Sequence, residues 1–426
     1  MVKRRLRAAG YVNTGSSMLG SPSAPALHAR LAPADVLVDE RRALYRLAVE
    51  LFAPGTEISD NLLDHPIVRY ELGRALAGHG GVDPDALREV AAMGVRDAGI
   101  AVASDPAAAE QLEAPLRIIA PPGQAPRPLT EADGERFETA MKIVAEGVDL
   151  FRRLAPAMAD DLLAHVPMLA VLKTETSGGV VSASSRYVPG IVLIDEPVGP
   201  MEVAEALVHE GAHEKFFDFA ITREFLDAHA EDAEYFENSW SKARWPLEQT
   251  FAAWHAYTCL SQFFLLSESE QLGPHSLLPK ARERAGEIGD WLLAHEHDLL
   301  PDARWLLHAL AGRVAGAAEG VSTADVSLLA TGIREDGNFR VLPDVAYRRA
   351  KSGRAVVGRL GERPEIFWLD PDAGWVLNEC CRAPAPFGTL LGNAAEHWRT
   401  GVPEARRRLT AALGSLHVFS IIEASD

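Results

Sequence analysis

The sequence predicts an α+β fold, mainly helical, and three observations carry that reading. Apolar residues recur at helical spacing, as in Leu44, Leu47 and Leu51 and again in Leu87, Val90 and Met93. Short β-rich runs are confined to the centre, at Gly179 to Ser182 and Ile191 to Ile194, and to the segment after Gly337. With 426 residues, 47% hydrophobic and 24% charged, the chain has apolar material for a sizeable core and the length of two or three ordinary domains.

Taken in order, residues 1–33 are rich in Gly, Ser, Ala and Pro without periodicity and read as a flexible leader. A helical region follows over 34–165. Pro121, Pro122, Pro126 and Pro128 interrupt it, and Thr130 with Asp133 has capping-box spacing for a helix running to about Leu154. The core over 166–320 holds the two central strands. Gly199 and Pro200 then open a helix from Met201 to about Ala220, because a proline lacking its N–H is tolerated at a helix start. Pro246 opens another to about Leu266, with helical segments at Ala281 to Leu300 and Trp305 to Ala318. The last part, 338–426, reads as a small α+β module. Its strands are expected at Val341 to Pro343, Val356 to Gly358 and Ile366 to Leu369, and its helices at Trp375 to Cys381 and Ala405 to Leu416.

Charge and cysteine content exclude several classes. Sixty acidic against 42 basic side chains leave a net charge of −18, so a phosphate backbone or an anionic membrane surface is repelled. Neither nucleic acid nor membrane is an expected partner. Phe251 to Leu266, the most apolar segment, is broken by polar groups and falls short of the roughly 20 residues that span a bilayer. Met1 to Ala9 is basic, yet no apolar stretch of about 7 to 15 residues follows, as a secretory signal requires. The three cysteines, Cys259, Cys380 and Cys381, have no metal-binding spacing, and an odd number with two adjacent argues against a disulfide framework. A cytoplasmic protein is the expectation.

The most informative stretch is Leu207-Val-His-Glu-Gly-Ala-His-Glu214. On a helix, His209 and His213 stack one turn apart, so two imidazole nitrogens can converge on one cation, and Glu210 lies beside them. Roughly 0.06 His-acid-x-x-His matches are expected by chance at this composition, so the motif needs support from its context. The strand, turn and helix leading into the motif add weight to it. A third ligand is sought on the helix opened by Pro246, where Glu248 and His255 are nearly two full turns apart and share a face. Glu248 would give two histidines and a carboxylate, a set that suits zinc hydrolysis and non-haem Fe(II) chemistry alike, and His255 would give three histidines. His255 is preferred because Phe251, Trp254 and Tyr257 surround it. Arg244, just ahead of that helix, could grip a carboxylate with two parallel hydrogen bonds. Ser184, Ser185 and Arg186 could contact a substrate lying along the following strand. His295 and His297, two residues apart, point about 200° away from each other on a helix and cannot chelate together.

The stretch from Ser182 to Tyr187, Pro189 to Ile194 and Ala206 to Glu214 resembles the HExxH-motif proteins of ribosomal-peptide modification pathways. So does Ser239-Trp-Ser-Lys-Ala-Arg-Trp-Pro-Leu247 with the aromatic helix after it. The likeness spans Leu169 to Leu266, under a quarter of the chain. It implies a zincin-like HExxH core that uses Fe(II) and 2-oxoglutarate to hydroxylate the β-carbon of a residue in a ribosomally made precursor peptide. His209 and His213 match the metal histidines of that pattern, His255 is the candidate third ligand, and Arg244 would balance the distal carboxylate of the oxo-acid. Arg340 to Leu416 looks like the small modules that capture leader peptides, which hold an extended peptide by adding it to a sheet edge. A cover for the helical core is the alternative role.

Two other functions compete with this one. In a zinc metallopeptidase Glu210 would be the catalytic base acting on metal-bound water. In a non-catalytic protein that recruits a peptide, the motif would hold a structural metal.

Overall fold

The computed structural model describes residues 33–82, 87, 90, 93–121, 123–223, 225–226, 234–267, 270–311, 333, 335–359 and 365–425. The expected leader, most of the Leu87 to Met93 run and the end of the Trp305 to Ala318 helix lie outside them. The described chain is α+β with helices predominating, as the periodicity predicted.

Helices α1 (Ala34–Phe52), α2 (Pro66–Leu76) and α3 (Pro106–Ile119) bracket two three-residue strands, β1 (Val95–Asp97) and β2 (Ala101–Ala103). Then come α4 (Glu135–Leu154), α5 (Pro156–Leu163), β3 (Met168–Leu172), β4 (Ser182–Ala183), β5 (Ile191–Asp195) and the motif helix α6 (Pro200–Thr222). The hairpin β6 (Phe236–Glu237) and β7 (Arg244–Trp245) leads into α7 (Leu247–Leu266), α8 (Leu278–Ala294) and α9 (Pro301–Leu310). The capping box before α4 forms as the sequence indicated, with Thr130 and Asp133 bonded reciprocally.

Five strands make one sheet in the order β1-β2-β3-β5-β4. β2, β3 and β5 run parallel, and β4 closes one edge antiparallel to β5, with Ser182 opposite Ile194 and Ala183 opposite Leu193. The sheet thus draws two of its strands from the stretch read as helical. Side-chain alternation sorts its residues onto two faces. Leu169, Val171, Val192 and Ile194 pack with α4, α6 and α7, whereas Met168, Ala170, Leu172, Ile191 and Leu193 pack with α1, α2 and α3. Burial on both faces is why β3 and β5 read as continuous apolar runs.

The motif helix is buried on nearly every side, from Val203 and Leu207 through Ala212 to Phe216 and Phe219, so it runs through the interior. α4 approaches it closely at Gly147, where an added Cβ would lie 2.5 Å from Val203 Cβ and 2.8 Å from the Pro200 carbonyl oxygen.

Burying such a helix leaves its charged residues needing partners. Asp218, fully buried, accepts from Arg41 Nη1 on α1, from Arg69 Nη2 on α2 at 2.8 Å, and contacts His165 Nδ1 at 2.6 Å. Burial alone would raise its pKa, but the two guanidiniums and His165 outweigh this and hold the carboxyl well below the usual carboxylate range. Lys215 Nζ donates to both oxygens of Asp161 on α5, each at 2.6 Å. Glu214 accepts from the Gly190 N–H at 2.6 Å, and burial raises its pKa well above the ordinary value.

The C-terminal segment forms a module with its own core. An antiparallel sheet of β9 (Val345–Arg349), β10 (Ala355–Arg359) and β11 (Glu365–Leu369) lies beside a second sheet of β12 (Ala385–Pro386), β8 (Asn338–Val341) and β13 (Ile422–Ser425), in that order. Helices α10 (Pro371–Arg382), α11 (Phe387–His397) and α12 (Val402–Val418) complete it. Cys380 and Cys259 are buried thiols pushed up to about 12 by burial, and neither is activated.

Replacing Asp218 with Ala strands two buried guanidiniums. We expect a loss of about 3–5 kcal/mol, read as a lower urea midpoint, while Asp64→Ala at the partly solvated end of the same network should cost distinctly less.

Candidate metal centre

Local sequence fixes the first part of the site. A continuous α-helix from Pro200 to Thr222 places residues i and i+4 on one face, and His209 and His213 meet there with Nε2 atoms 3.2 Å apart. With metal–nitrogen bonds of about 2.1 Å, a 3.2 Å separation subtends about 100° at a shared ion, between octahedral and tetrahedral angles. Ligand atoms of His209, Glu210 and His213 all lie within 4.8 Å of one another. Among the described residues no other group of His, Cys, Asp and Glu side chains comes together in this way. The donor set of two imidazoles and a carboxylate therefore fits a divalent transition metal.

Glu210 is turned toward the sheet edge. Ser182 Oγ donates to its Oε1 at 2.7 Å and Ser184 Oγ to its Oε2 at 2.6 Å. Both serines flank Ala183 on or beside β4, and the alternation of the strand sends them to one side. A carboxylate has about four lone-pair sites, so two serine hydroxyls fix its orientation and leave acceptor capacity for an ion. Ser184, expected to meet substrate, holds Glu210. Ser185 turns back on its own loop and accepts from the Tyr187 N–H at 3.3 Å.

The opposite wall is aromatic. Tyr257 packs edge-on against His209 with ring centroids 5.8 Å apart, Trp240 packs edge-on against Tyr257 at 6.0 Å, and Phe217 stacks on His213 at 6.3 Å. One turn before His209, Glu205 accepts from Ser276 Oγ at 2.6 Å and from the Leu277 N–H. This fastens the start of α8 to the motif helix. Burial raises the Glu205 pKa against those donors.

The proposed third ligand takes another place. His255 is fully buried in α7, and its Nδ1 lies 3.0 Å from the Ala212 carbonyl oxygen, where an N–H donates to the motif helix. It is not part of the His209–Glu210–His213 group. Spacing put His255 on a face that could look toward the pair, but the rotation of α7 about its axis turns that face to the flank of the motif helix. Glu248 forms an ion pair with Arg186 at the rim, which occupies both residues with each other. Arg244 is exposed on β7 with its guanidinium 5.3 Å over the Tyr235 ring.

Arg284 is the residue the motif search passed over. It sits on α8 with its guanidinium 4.7 Å over Trp240 and 5.3 Å over Tyr257, and Nη1 donates to the Tyr257 hydroxyl at 2.8 Å. A signal for it was present. Ala281, Arg284, Ile288 and Leu292 follow helical spacing, which puts an arginine on the apolar stripe of α8.

Burial, and then the neighbouring His209, hold the His213 pKa down at about 4. An unfolded imidazole takes its proton near 6.5. The stability contributed by neutral His213 is therefore complete above that pH and is lost as pH falls toward about 4. In the metal-free protein, an NMR titration of the His213 ring should show a midpoint far below 6.5, and a midpoint at the free value would contradict the burial.

His209→Ala or His213→Ala should abolish stoichiometric metal binding measured by elemental analysis. His255→Asn should keep it while lowering thermal stability, by about 1–3 kcal/mol for the bond to Ala212. Comparison with known proteins adds no assignment to this geometry, for no family model matches the chain and no curated protein matches its sequence.

Proposed function

We propose that the chain is an Fe(II)- and 2-oxoglutarate-dependent hydroxylase of the β-carbon of a residue in a ribosomally made precursor peptide. The observation that carries this reading is the convergence of two imidazoles 3.2 Å apart with the Glu210 carboxylate. Two histidines and one carboxylate on one side of an ion leave positions open for an oxo-acid and O₂. Iron bound there would supply the oxidising chemistry, coupled to decarboxylation of the oxo-acid. His209 and His213 would hold the ion, and Glu210, oriented by Ser182 and Ser184, would complete the donor set. The aromatic wall of Tyr257, Trp240 and Phe217 would exclude water from the reacting centre.

Further features support the proposal. The antiparallel edge strand β4 beside the motif helix agrees with a zincin-like core and gives an extended peptide a place along the site. In the C-terminal module β11 pairs with β10 alone among the described strands, so its outer edge suits capture of a leader segment. Among the described residues no helix is long and apolar enough to cross a membrane.

A zinc metallopeptidase is the second reading, favoured by the proximity of Glu210 to the histidine pair. It requires Glu210 to take and pass on a proton, and the serine hydroxyls on its two oxygens would orient the carboxylate for that role as well.

Anaerobic loading with Fe(II) followed by 2-oxoglutarate should give the visible charge-transfer band of a chelated oxo-acid, and precursor peptide should then gain one oxygen without being cut. No band at saturating 2-oxoglutarate, with zinc retained and peptide cleaved, would establish the peptidase. Metal retention with neither product would leave a recruiting protein. Ser182→Ala combined with Ser184→Ala should lower kcat about 10–100-fold through loss of orientation of Glu210, with metal content reduced in parallel.

A further inference from the structure

Arg284 is a cation joined through Tyr257 to His209 of the metal centre, and no acid among the described residues pairs with it. Among the described residues no carboxylate lies within ion-pair distance of its guanidinium, although most of the described arginines have one. The acids nearest in sequence on α8 are engaged elsewhere. Glu287, one turn on, accepts from Ser239 N–H at 2.8 Å and Ser239 Oγ at 2.6 Å, and Glu283 pairs with Lys280 at 3.6 Å.

The guanidinium is nevertheless fixed. Trp240 and Tyr257 lie against it, Nη1 is tied to the Tyr257 hydroxyl, and the close approach of α8 to α7, where an added Cβ on Gly289 would lie 2.9 Å from Trp254 Nε1, sets the position of its helix. Arg284 is half-buried, and none of its nitrogens is sealed in the interior without a partner, so Nε and Nη2 reach solvent. A planar, pre-oriented fork with open N–H groups is suited to one carboxylate, because little side-chain entropy is left to lose on binding. Tyr257 bridges this fork to His209, with its ring against the imidazole and its hydroxyl on the guanidinium.

We infer that Arg284, not Arg244, grips the distal carboxylate of an oxo-diacid whose other end reaches the ion at His209 and His213, and that Tyr257 sets the spacing between the two ends. The inference rests on the oxo-acid reading above and names the residue that selects a diacid over an oxo-acid with an uncharged tail. In this role Arg284 binds the co-substrate and takes no part in proton transfer. Arg244 lies apart from the fork, exposed and stacked on Tyr235.

The test uses two probes on iron-loaded full-length protein under anaerobic conditions, 2-oxoglutarate and 2-oxopentanoate, which lacks the distal carboxylate. Binding is read from the charge-transfer band and iron content by elemental analysis. A charge-assisted carboxylate pair is worth about 1.5–3 kcal/mol, or about 10–100-fold in Kd. Arg284→Gln should therefore raise the Kd for 2-oxoglutarate by about 10–100-fold, keep the iron, and leave the Kd for 2-oxopentanoate within about twofold. Arg284→Lys should fall between, since it keeps the charge and loses the fork.

Equal weakening of both probes, or loss of iron from both variants, would make Arg284 a structural brace for Tyr257 and overturn the inference. So would an unchanged Kd for 2-oxoglutarate. A wild-type protein that binds iron but gives no band with either probe overturns the oxo-acid reading itself, and is thereby distinguished from failure of Arg284 alone.

Discussion

The site depends first on the buried ties of Asp218 to Arg41, Arg69 and His165. They lie nine residues after His209 on the same helix and connect it to α1, to α2 and to the segment entering β3. A helix fixed at that point cannot rotate about its axis without separating charges in a medium where separation is expensive. Lys215 with Asp161 and Glu214 with the Gly190 N–H add constraints in other directions. The direction in which His209 and His213 point is therefore decided by groups on the far side of their helix.

Around the histidine pair the two walls have opposite character, and each follows from the element that supplies it. The polar wall comes from a strand edge, where alternation brings Ser182 and Ser184 to Glu210. Its outer rim is closed by the ion pair of Arg186 with Glu248, which joins that loop to the start of α7. The aromatic wall comes from helices α6 and α7 and the β6–β7 hairpin, whose rings pack edge to face as their quadrupoles favour. A ligand would thus meet the Glu210 carboxylate with its two serine partners on one side and an apolar ring surface on the other, and electrostatic interactions within such a space are stronger than in water.

The C-terminal module is joined to the same helix at its far end. Trp368 Nε1 donates to the Ile221 carbonyl at 2.9 Å and Arg354 Nη1 to the Thr222 carbonyl at 2.7 Å, which satisfies groups that a helix C-terminus leaves without intrahelical partners. Buried Glu40 on α1 gathers Arg354, Arg223 and Ser352 around itself. The module therefore completes the motif helix as well as carrying its own core, and a change in its position would be felt at the carbonyl end of that helix.

Much of the local structure was legible in the residues. Pro200 and Pro246 marked the starts of α6 and α7, Thr130 and Asp133 announced α4, and the i, i+4 histidines foretold a ligand pair, because each depends on contacts within a few residues. The two short strands β1 and β2 left no such mark. Three residues are too few to show alternation, and their pairing is stabilised by the rest of the sheet. The sequence by itself determined that a helix would carry two imidazoles and a carboxylate on adjoining faces. Only the tertiary structure decided what those groups meet. Whether α7 turns His255 or Tyr257 toward the pair, and whether Arg244 or Arg284 stands near it, depends on how helices rotate and approach one another, and that is set by packing between residues far apart in the chain.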